Sequence, residues 1–401
     1  MTNQVKKVPE LRFPEFDGKW EEKKLGDIAH ITMGQSPKSS NYTNNDQDMV
    51  LVQGNADMKK GQIYPRIYTT EITKLAEIDD ILLSVRAPVG ELAIAQLRAC
   101  IGRGVCAINA NKFVYYNLEL FKVRNTWKLF SQGSTFESIS GNEIKKINFQ
   151  IPISKSEQQK IGEFFSKLDR QIELEEQKLA KLEEQKKGYM QKIFSQEIRF
   201  KDDNGNSYPE WESAPLFDIF SATKGKSLSK DKISNDGKYE CILYGEIYTT
   251  YAEKIESIVS RTNYYEGILS QKNDLIFPNS TTTNAWDLAT FSSLQKNNVL
   301  IGGDISILRT KRSDISSLFY AYYLTNYLKL RKDIAKYAQG ITIVHLSFNN
   351  FYKIKVQIPS LEEQNSITDF IDSLNQQQKL ITNKIKLLKE RKKGFLQKMF
   401  V

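Results

Sequence analysis

Cysteine and histidine are scarce in this chain. Its 401 residues include three cysteines, Cys100, Cys106 and Cys241, and two histidines, His30 and His345. An odd number of cysteines without a CxxC pair argues against a disulfide framework and favours a reducing compartment. The few possible ligands also lack the spacing of a zinc site. We therefore expect no metal site, and each histidine is expected to be a surface or hydrogen-bonded residue.

Long apolar runs are missing as well. The N-terminal sequence MTNQVKKVPELRFPEF has no apolar segment of the kind found in signal peptides. No run approaches the roughly 20 apolar residues that a membrane-spanning helix requires. The sequence therefore predicts a cytoplasmic protein.

Catalytic motifs are absent too. The chain contains no GxxxxGK[ST] phosphate loop and no HExxH motif. Gly102-Arg103-Gly104 lacks the remaining glycine of a dinucleotide-binding fingerprint, and Phe277-Pro278-Asn279 differs from the Asn/Asp-Pro-Pro-aromatic motif of amino-methyltransferases. We expect a protein that has neither a catalytic centre nor a cofactor of its own.

Positive charge is in excess. Lysine and arginine outnumber aspartate and glutamate by 57 to 48, which gives a net charge of +9. Such an excess favours an acidic partner, of which nucleic acid is the commonest, although a merely basic soluble protein has the same composition.

The chain repeats itself. Trp20-Glu21 recurs as Trp211-Glu212, 191 residues later. KKGYMQKIF, which ends at Phe194, recurs 206 residues later as KKGFLQKMF, with six of nine positions identical. Leu11-Arg12-Phe13 resembles Ile198-Arg199-Phe200, the segment that follows the first of these two stretches. We infer two copies of one unit, each a domain followed by a long helix, with both chain ends near the first domain.

Two heptad patterns predict the long helices. Each pattern extends over about 39 residues, or roughly 58 Å of helix at 1.5 Å per residue. The apolar seam positions are Ile161, Phe165, Leu168, Ile172, Leu179 and Leu182 in the first copy, and Ile367, Ile371, Leu374, Ile381, Ile385 and Leu388 in the second. The connectivity predicts an antiparallel coiled coil. The alternative is two unrelated amphipathic helices, each covering its own domain.

The domains themselves read as mixed α and β (α+β). Short apolar runs such as MVLVQG, CIGRGVCAI, YECILYG and NDLIFPNS predict strands, whereas NKFVYYNLELFKVRN and SSLFYAYYLTNYLKLRKDIAKY each predict a helix. The chain thus divides into a first domain over 1–155, a central helix over 156–197, a second domain over 198–360 and a distal helix over 361–401.

Polar and basic residues lie between the predicted strands. Arg, Lys, Gln and Asn can pair with base edges, and Ser and Thr suit phosphates, although each is also an ordinary loop residue. The candidates are Gln35, Ser36, Lys38, Arg86, Arg98, Arg103, Gln132, Ser134 and Thr135 in the first domain, and Lys224, Lys226, Ser227, Asn279, Thr281, Thr282, Thr283, Asn284, Gln339 and Thr342 in the second. The run 279–284 is expected to be the most exposed polar segment.

Arg86 interrupts an apolar strand and precedes Ala-Pro. A charge at that place either faces a ligand at the end of a strand or is paired inside the protein, and the sequence does not decide between the two.

Taken together, these segments resemble the specificity subunit of Type I restriction–modification systems. The resemblance covers essentially the whole chain and is carried by WEEKKLGDIAHITMGQSP, DDILLSVRAPVGELAIA, QGSTFESIS, the first long helix from Glu157 to Phe194, and the second helix. It departs where PNSTTTNAWDLA stands in place of the RAP segment, which puts a counterpart of Arg86 in the second domain in doubt.

The resemblance implies two target recognition domains, each reading one half of a split site in double-stranded DNA. It also implies that the helices set the gap and dock two modification subunits, which would methylate adenine with S-adenosylmethionine. Restriction subunits would join the complex and cleave DNA with ATP and Mg. The alternative is a non-catalytic coiled-coil scaffold that binds proteins without DNA specificity. The bases recognised cannot be predicted, since the loop geometry decides them.

Overall fold

The structure, a computed structural model, describes residues 8–130, 138–226 and 228–401, and of Leu129 and Phe130 only the backbone. It divides into two compact units. Unit 1 takes the chain up to Gln177 together with Thr382–Val401, and unit 2 is Lys178–Ile381. Each long helix is therefore divided between the two units, rather than forming a segment of its own.

Unit 1 contains two mixed sheets in its described part. The six-stranded sheet has the order His30–Met33, Val105–Asn109, Ile81–Ser84, Leu92–Ile94, Gln62–Ile63, Met58–Lys59, and the five-stranded sheet has the order Tyr42–Thr43, Tyr68–Thr69, Met49–Val52, Ala99–Ile101, Leu75–Ala76. A separate ribbon pairs Glu21–Lys24 with Asn148–Ile151. The helices are Leu25–Ile28, Lys112–Val123, Trp127–Phe130 and Gly141–Lys145. The strands and the helix predicted for this domain are confirmed.

Unit 2 repeats this plan within its described residues. One sheet has the order Phe220–Lys224, Ile305–Thr310, Asp274–Pro278, Ser292–Leu294, Lys254–Ile255, and another has Ser260–Thr262, Tyr239–Ile242, Leu300–Ile301, Ile268–Leu269. Two ribbons pair Glu212–Pro215 with Lys355–Ile358 and Ser280–Thr281 with Val344–His345. The shorter helices are Leu216–Ile219, Tyr244–Thr249, Ala285–Leu288, Ser317–Asn326, Leu328–Ala335 and Phe348–Phe351.

One predicted helix of unit 2 is broken. The sequence predicts a single helix over 316–337, but the backbone leaves the helical region at Tyr327 (φ −75°, ψ 104°). Gln191 of the first long helix binds two backbone groups at this break, because its amide donates to Asn326 O (2.6 Å) and accepts from Leu328 N (3.0 Å). The single-helix prediction was wrong because a tertiary contact replaces the helical hydrogen bonds.

The long helices extend over Lys155–Phe194 and Leu361–Met399. In unit 1 the rings of Phe164 and Phe395 lie 5.2 Å apart, while Lys384 donates to Glu175. The partner's number thus falls as the first helix's number rises, so the two helix segments run antiparallel, as predicted.

The same direction holds in unit 2. There Lys186 donates to the side-chain oxygen of Asn375, and the rings of Tyr189 and Phe370 lie 5.6 Å apart.

All twelve predicted seam residues are buried or half-buried. Those at the ends of the seam also enter the domain cores, Ile161 and Phe165 in unit 1 and Ile367 and Ile371 in unit 2.

A buried carboxylate ties the start of each long helix to its domain. In unit 1, Glu157 accepts two hydrogen bonds from Arg12 (both 2.8 Å) and one from the indole of Trp20 (3.3 Å). In unit 2, Glu363 accepts the same set from Arg199 (3.2 and 2.8 Å) and Trp211 (2.8 Å). Glu363 stands 206 residues after Glu157, so the duplication extends to this ion pair.

The segment before each ion pair also follows the repeat. Leu11 N donates to Lys398 O in unit 1 (2.9 Å), and Ile198 N donates to Lys192 O in unit 2 (3.1 Å). In unit 2 the segment continues directly from the helix that it caps. In unit 1 the corresponding segment contacts the helix Leu361–Met399 but does not continue from it. This contact agrees with the predicted closeness of both chain ends to the first domain.

Candidate nucleic-acid interface

A glycine positions the candidate residues at the start of each domain. In unit 1, Gly34 N donates to Val105 O (3.0 Å) and Gln35 N to Ile101 O (2.9 Å). A Cβ atom on Gly34 would lie 2.1 Å from Gly102 O, closer than any side chain can approach. Only glycine lets the chain lie this near the loop 102–104.

Unit 2 has the same arrangement. Gly225 N donates to Ile305 O (2.9 Å), Lys226 N donates to Ile301 O (3.1 Å), and a Cβ on Gly225 would lie 2.0 Å from Gly302 O. Gln35 and Lys226 therefore occupy equivalent places, and both are exposed.

Four predicted residues of unit 1 converge on the loop 102–104. Ser36 Oγ accepts from the backbone N–H of Arg103 (3.1 Å), and Gln35 precedes Ser36. Val85 N donates to Gly104 O (2.9 Å), which brings the neighbouring Arg86 to the same loop. Arg86 and Arg103 are exposed, and neither forms an ion pair with any residue that the structure describes. The charge of Arg86 is thus not paired inside the protein with any described residue, and a ligand-facing role stays a prediction.

Other predicted residues of unit 1 are placed differently. The backbone N–H of Lys38 donates to Glu71 (2.9 Å), and this hydrogen bond lowers the pKa of the Glu71 carboxyl, while the lysine side chain is exposed. Arg98 is exposed but pairs with Glu77 (3.0 Å). Gln132, Ser134 and Thr135 lie outside the described residues, as does Ser227 in unit 2. A DNA-binding role stays a prediction for every candidate.

In unit 2 a small ribbon brings the remaining candidates together. Ser280–Thr281 pairs with Val344–His345, and Gln339 exchanges two backbone hydrogen bonds with His345 (2.9 and 2.7 Å). The hairpin that contains Gln339 and Thr342 thus lies beside the run 279–284. Lys224 reaches the same region, since it pairs with Ser306, whose hydroxyl donates to Asn279 (2.7 Å).

The run 279–284 is less exposed than the sequence predicts. Asn279 and Thr281 are 4% and 0% exposed. Thr283 donates to Asp287, and the Asn284 side chain caps the helix Ala285–Leu288 by accepting from Trp286 N (2.9 Å). In this run only Thr282 combines exposure with a side chain that makes no described hydrogen bond. The other side chains hold the loop in shape.

Several residues of this surface were missed. Asp304, in the left-handed region (φ 60°), accepts from Ser280 Oγ (3.1 Å) and stands where Gly104 stands in unit 1. Ile341 at the tip of the hairpin is fully exposed. Arg331 stacks over the Trp286 ring, 4.5 Å from its centre, and burial lowers the pKa of its guanidinium. An alignment of the two repeats at an offset of 200 would have found Asp304, but nothing in the sequence marks Ile341 or Arg331.

The outer surfaces of the long helices carry apolar side chains. In unit 1, Leu174 and Leu387 are 48% and 64% exposed, and in unit 2 Leu380 is 68% exposed. No group of three or more His, Cys, Asp or Glu among the described residues could hold a metal ion. No helix in the described ranges is both long enough and apolar enough to cross a membrane.

The family model and the curated relatives that match this chain all concern the specificity part of type I restriction systems. Residues 17–184 and 208–390 each match the model of one family, described as the Type I restriction modification DNA specificity domain. From Methanocaldococcus jannaschii, the putative type I restriction enzyme MjaX specificity subunit is 34% identical over 197 residues, which are 47% of this chain and 45% of that protein. The MjaIX specificity subunit is 27% identical over 253 residues, 56% of this chain and 58% of that one. The chain thus spans about half the length of the curated relatives it matches.

Solved structures share the fold over nearly the whole chain. The S subunit of a Type-I restriction-modification system from M. genitalium superposes with a TM-score of 0.60 at 16% identity and covers 98% of this chain and 99% of its own. A chain from a study of complex assembly and conformational transition of the type I R-M system gives a TM-score of 0.59 at 16% identity, over 95% of this chain and 97% of its own.

Proposed function

This chain belongs to the Type I restriction modification DNA specificity domain family, and we propose that it is the subunit that reads DNA sequence, with each unit binding one half of a bipartite, asymmetric site. The observation that carries the proposal is the backbone arrangement around Gly34 in unit 1 and Gly225 in unit 2, here called the frame, which occurs in both units. Each glycine positions exposed polar residues next to a strand-end loop, and the residues presented differ between the units. One scaffold with two different polar surfaces suits two different half-sites.

The chemistry of the system would lie elsewhere. We propose that two modification subunits bind the helix pair, where the exposed leucines 174, 380 and 387 offer apolar contacts, and that restriction subunits join through the assembled complex. S-adenosylmethionine, ATP and Mg would be bound by those partners in a cytoplasmic complex. The chain alone should then neither cut nor methylate DNA. Methyl transfer by the purified chain would contradict this.

Domain exchange tests the proposal. Replacing residues 20–152 or 211–359 with the matching segment of a relative should change one half of the recognised sequence and leave the other unchanged. The readout is sequencing of duplexes that the full chain selects from a random library. A change in both halves would contradict independent reading by the two units.

The second candidate, a protein-binding scaffold without DNA specificity, is favoured by the exposed leucines alone. Binding to random duplex DNA at low salt separates the two functions. A DNA reader should bind and should lose affinity steeply as salt is added, because each phosphate contact releases counterions. A scaffold should not be retained on DNA at any salt concentration.

A further inference from the structure

Two exposed arginines without an ion-pair partner among the described residues lie beside the loop 102–104 of unit 1. Ser84 pairs with Val105 in the antiparallel sheet, and Val85 N donates to Gly104 O. Arg86 follows Val85, and Arg103 precedes Gly104 in a turn over residues 102–105, so the two arginines flank this hydrogen bond. Both side chains are exposed beside the same loop.

Two positive charges beside one loop repel each other when no carboxylate lies between them. Several other arginines of the unit have carboxylate partners, such as Arg12 with Glu157, Arg66 with Asp57 and Arg98 with Glu77, although Arg124 and Arg391 have none among the described residues. Arg86 and Arg103 have none among the described residues. A partner rich in hydrogen-bond acceptors would offset their repulsion.

The backbone beneath these arginines is fixed on both sides. Arg103 N donates to Ser36 Oγ, and Arg86 forms a β-bridge with Ser138. Gly34 leaves no room for the loop 102–104 to move toward it. The two long side chains therefore start from fixed backbone positions.

Unit 2 lacks this pair at the equivalent place. Pro278 pairs with Ile305, and the same register places Ser280 opposite Gly303. Ser280 is buried and donates to Asp304, a carboxylate that unit 1 replaces with Gly104. The two units thus differ in charge at equivalent positions of their common frame.

We infer that Arg86 and Arg103 read guanine in the half-site bound by unit 1, and that the half-site of unit 2 is read without an arginine pair. The inference rests on the proposed function. A guanidinium can donate two parallel hydrogen bonds to O6 and N7 of guanine, the commonest specific contact in the major groove. Because both side chains extend from the region of the Val85–Gly104 hydrogen bond, they can address bases of one half-site.

The experiment is selection of duplexes from a random library by the full chain, followed by affinity measurements on the selected duplex. The variants are Arg86→Ala, Arg103→Ala and, as a matched control, Arg98→Ala, which removes an exposed arginine that already has a partner. Circular dichroism and thermal melting verify that each variant is folded. Arg86→Lys tests whether the planar fork is needed rather than the charge.

We expect guanine at one or two positions of a single half-site, with discrimination against other bases falling about 5- to 150-fold in each alanine variant. The other half-site and the Arg98→Ala variant should be unchanged. Replacing the selected guanine with 7-deazaguanine, which lacks the N7 acceptor, should weaken binding of the wild-type chain but not of the alanine variant. Arg86→Lys should keep most of the affinity and lose discrimination.

Two results would overturn the inference in distinguishable ways. If the alanine variants lose affinity equally for all duplexes and each lowers the salt dependence by about one phosphate, the arginines contact the backbone, while the proposed function stands. If the wild-type chain selects no sequence in either half, the proposed function fails and the guanine assignment fails with it.

Discussion

At the scale of single residues, two buried glutamates have the same role in the two units. Glu157 and Glu363 each hold an arginine and a tryptophan, and their side chains are 1% and 0% exposed. The sequence places Trp20 and Trp211 in corresponding positions, but it does not mark the glutamates, because their partner arginines lie 145 and 164 residues away. Contacts over such distances depend on the fold and leave no local pattern.

The first prediction concerns these carboxylates. Glu157→Gln should destabilise unit 1 by about 3 kcal/mol, because removing one member of a buried ion pair leaves the other without its partner. Amide hydrogen exchange should then rise in unit 1 and stay unchanged in unit 2, and Glu363→Gln should give the reverse. Equal effects of either variant on both units would show that the ion pairs do not act locally.

The second prediction concerns the glycines of the frame. Gly34→Ala should displace the loop 102–104 and weaken binding to one half-site, and Gly225→Ala should do so for the other, because each new Cβ would overlap a carbonyl oxygen. Gly54→Ala is the matched control, since a Cβ there meets nothing within 4 Å. Binding to duplexes that carry only one intact half-site measures the effect. An unchanged preference in both glycine variants would show that the frame does not position the reading residues.

At the scale of elements, periodic patterns were predicted well and loops were not. The heptads foretold both long helices, because a repeat of 3.5 residues depends on the helix alone. The break at Tyr327 escaped prediction, since it depends on Gln191 of another helix. The run 279–284 looked exposed because polar residues usually are, but its side chains bind one another and the neighbouring strand. Hydrogen bonding within a loop thus decides which of its polar residues can reach a ligand.

The third prediction tests the pairing of the long helices in unit 1. A hydrogen bond from Lys389 is the main cause that lowers the pKa of the Glu176 carboxyl, with a further contribution from Lys60. The stabilisation that ionised Glu176 gives to the folded unit should be present above its ordinary pKa of about 4.5. It should be lost as the pH falls through the lowered pKa. Glu176→Gln should therefore cost up to about 1 kcal/mol at pH 7, and less as the pH falls below that range.

Urea unfolding across this pH range measures the difference between the wild-type chain and the variant. Glu184→Gln is the control, because Glu184 is exposed on the same helix and has no ion pair among the described residues. A cost for Glu176→Gln that stays constant with pH would exclude the ion pair as its source.

At the scale of the whole molecule, the fourth prediction connects helix length to the DNA site. The change is an insertion of seven residues after residue 177 in the first helix and of seven after residue 381 in the second. Both insertions fall on the division between the units and keep the heptad seams in phase. If the helices set the gap between half-sites, about 10 Å of added helix should lengthen the preferred gap by about three base pairs. Affinity should also fall, because the second half-site turns by nearly a third of a DNA turn.

Binding of the lengthened protein to duplexes with a series of gap lengths gives the answer. The bases of each half should not change. A chain that keeps both its activity and its original gap would show that the helices do not measure the site.

The way the units share the helices has a consequence for ancestry. Unit 1 is completed by Thr382–Val401 from the second repeat, and unit 2 begins with Lys178–Phe194 from the first. Each repeat thus lends the end of its helix to the other, as swapped protomers do in a dimer. A half-length ancestor with one repeat could have obtained the missing helix end from a second copy of itself. If the proposed function holds, such a pair would have read two identical halves, a palindrome, and fusion of the two genes would have freed each half to change alone.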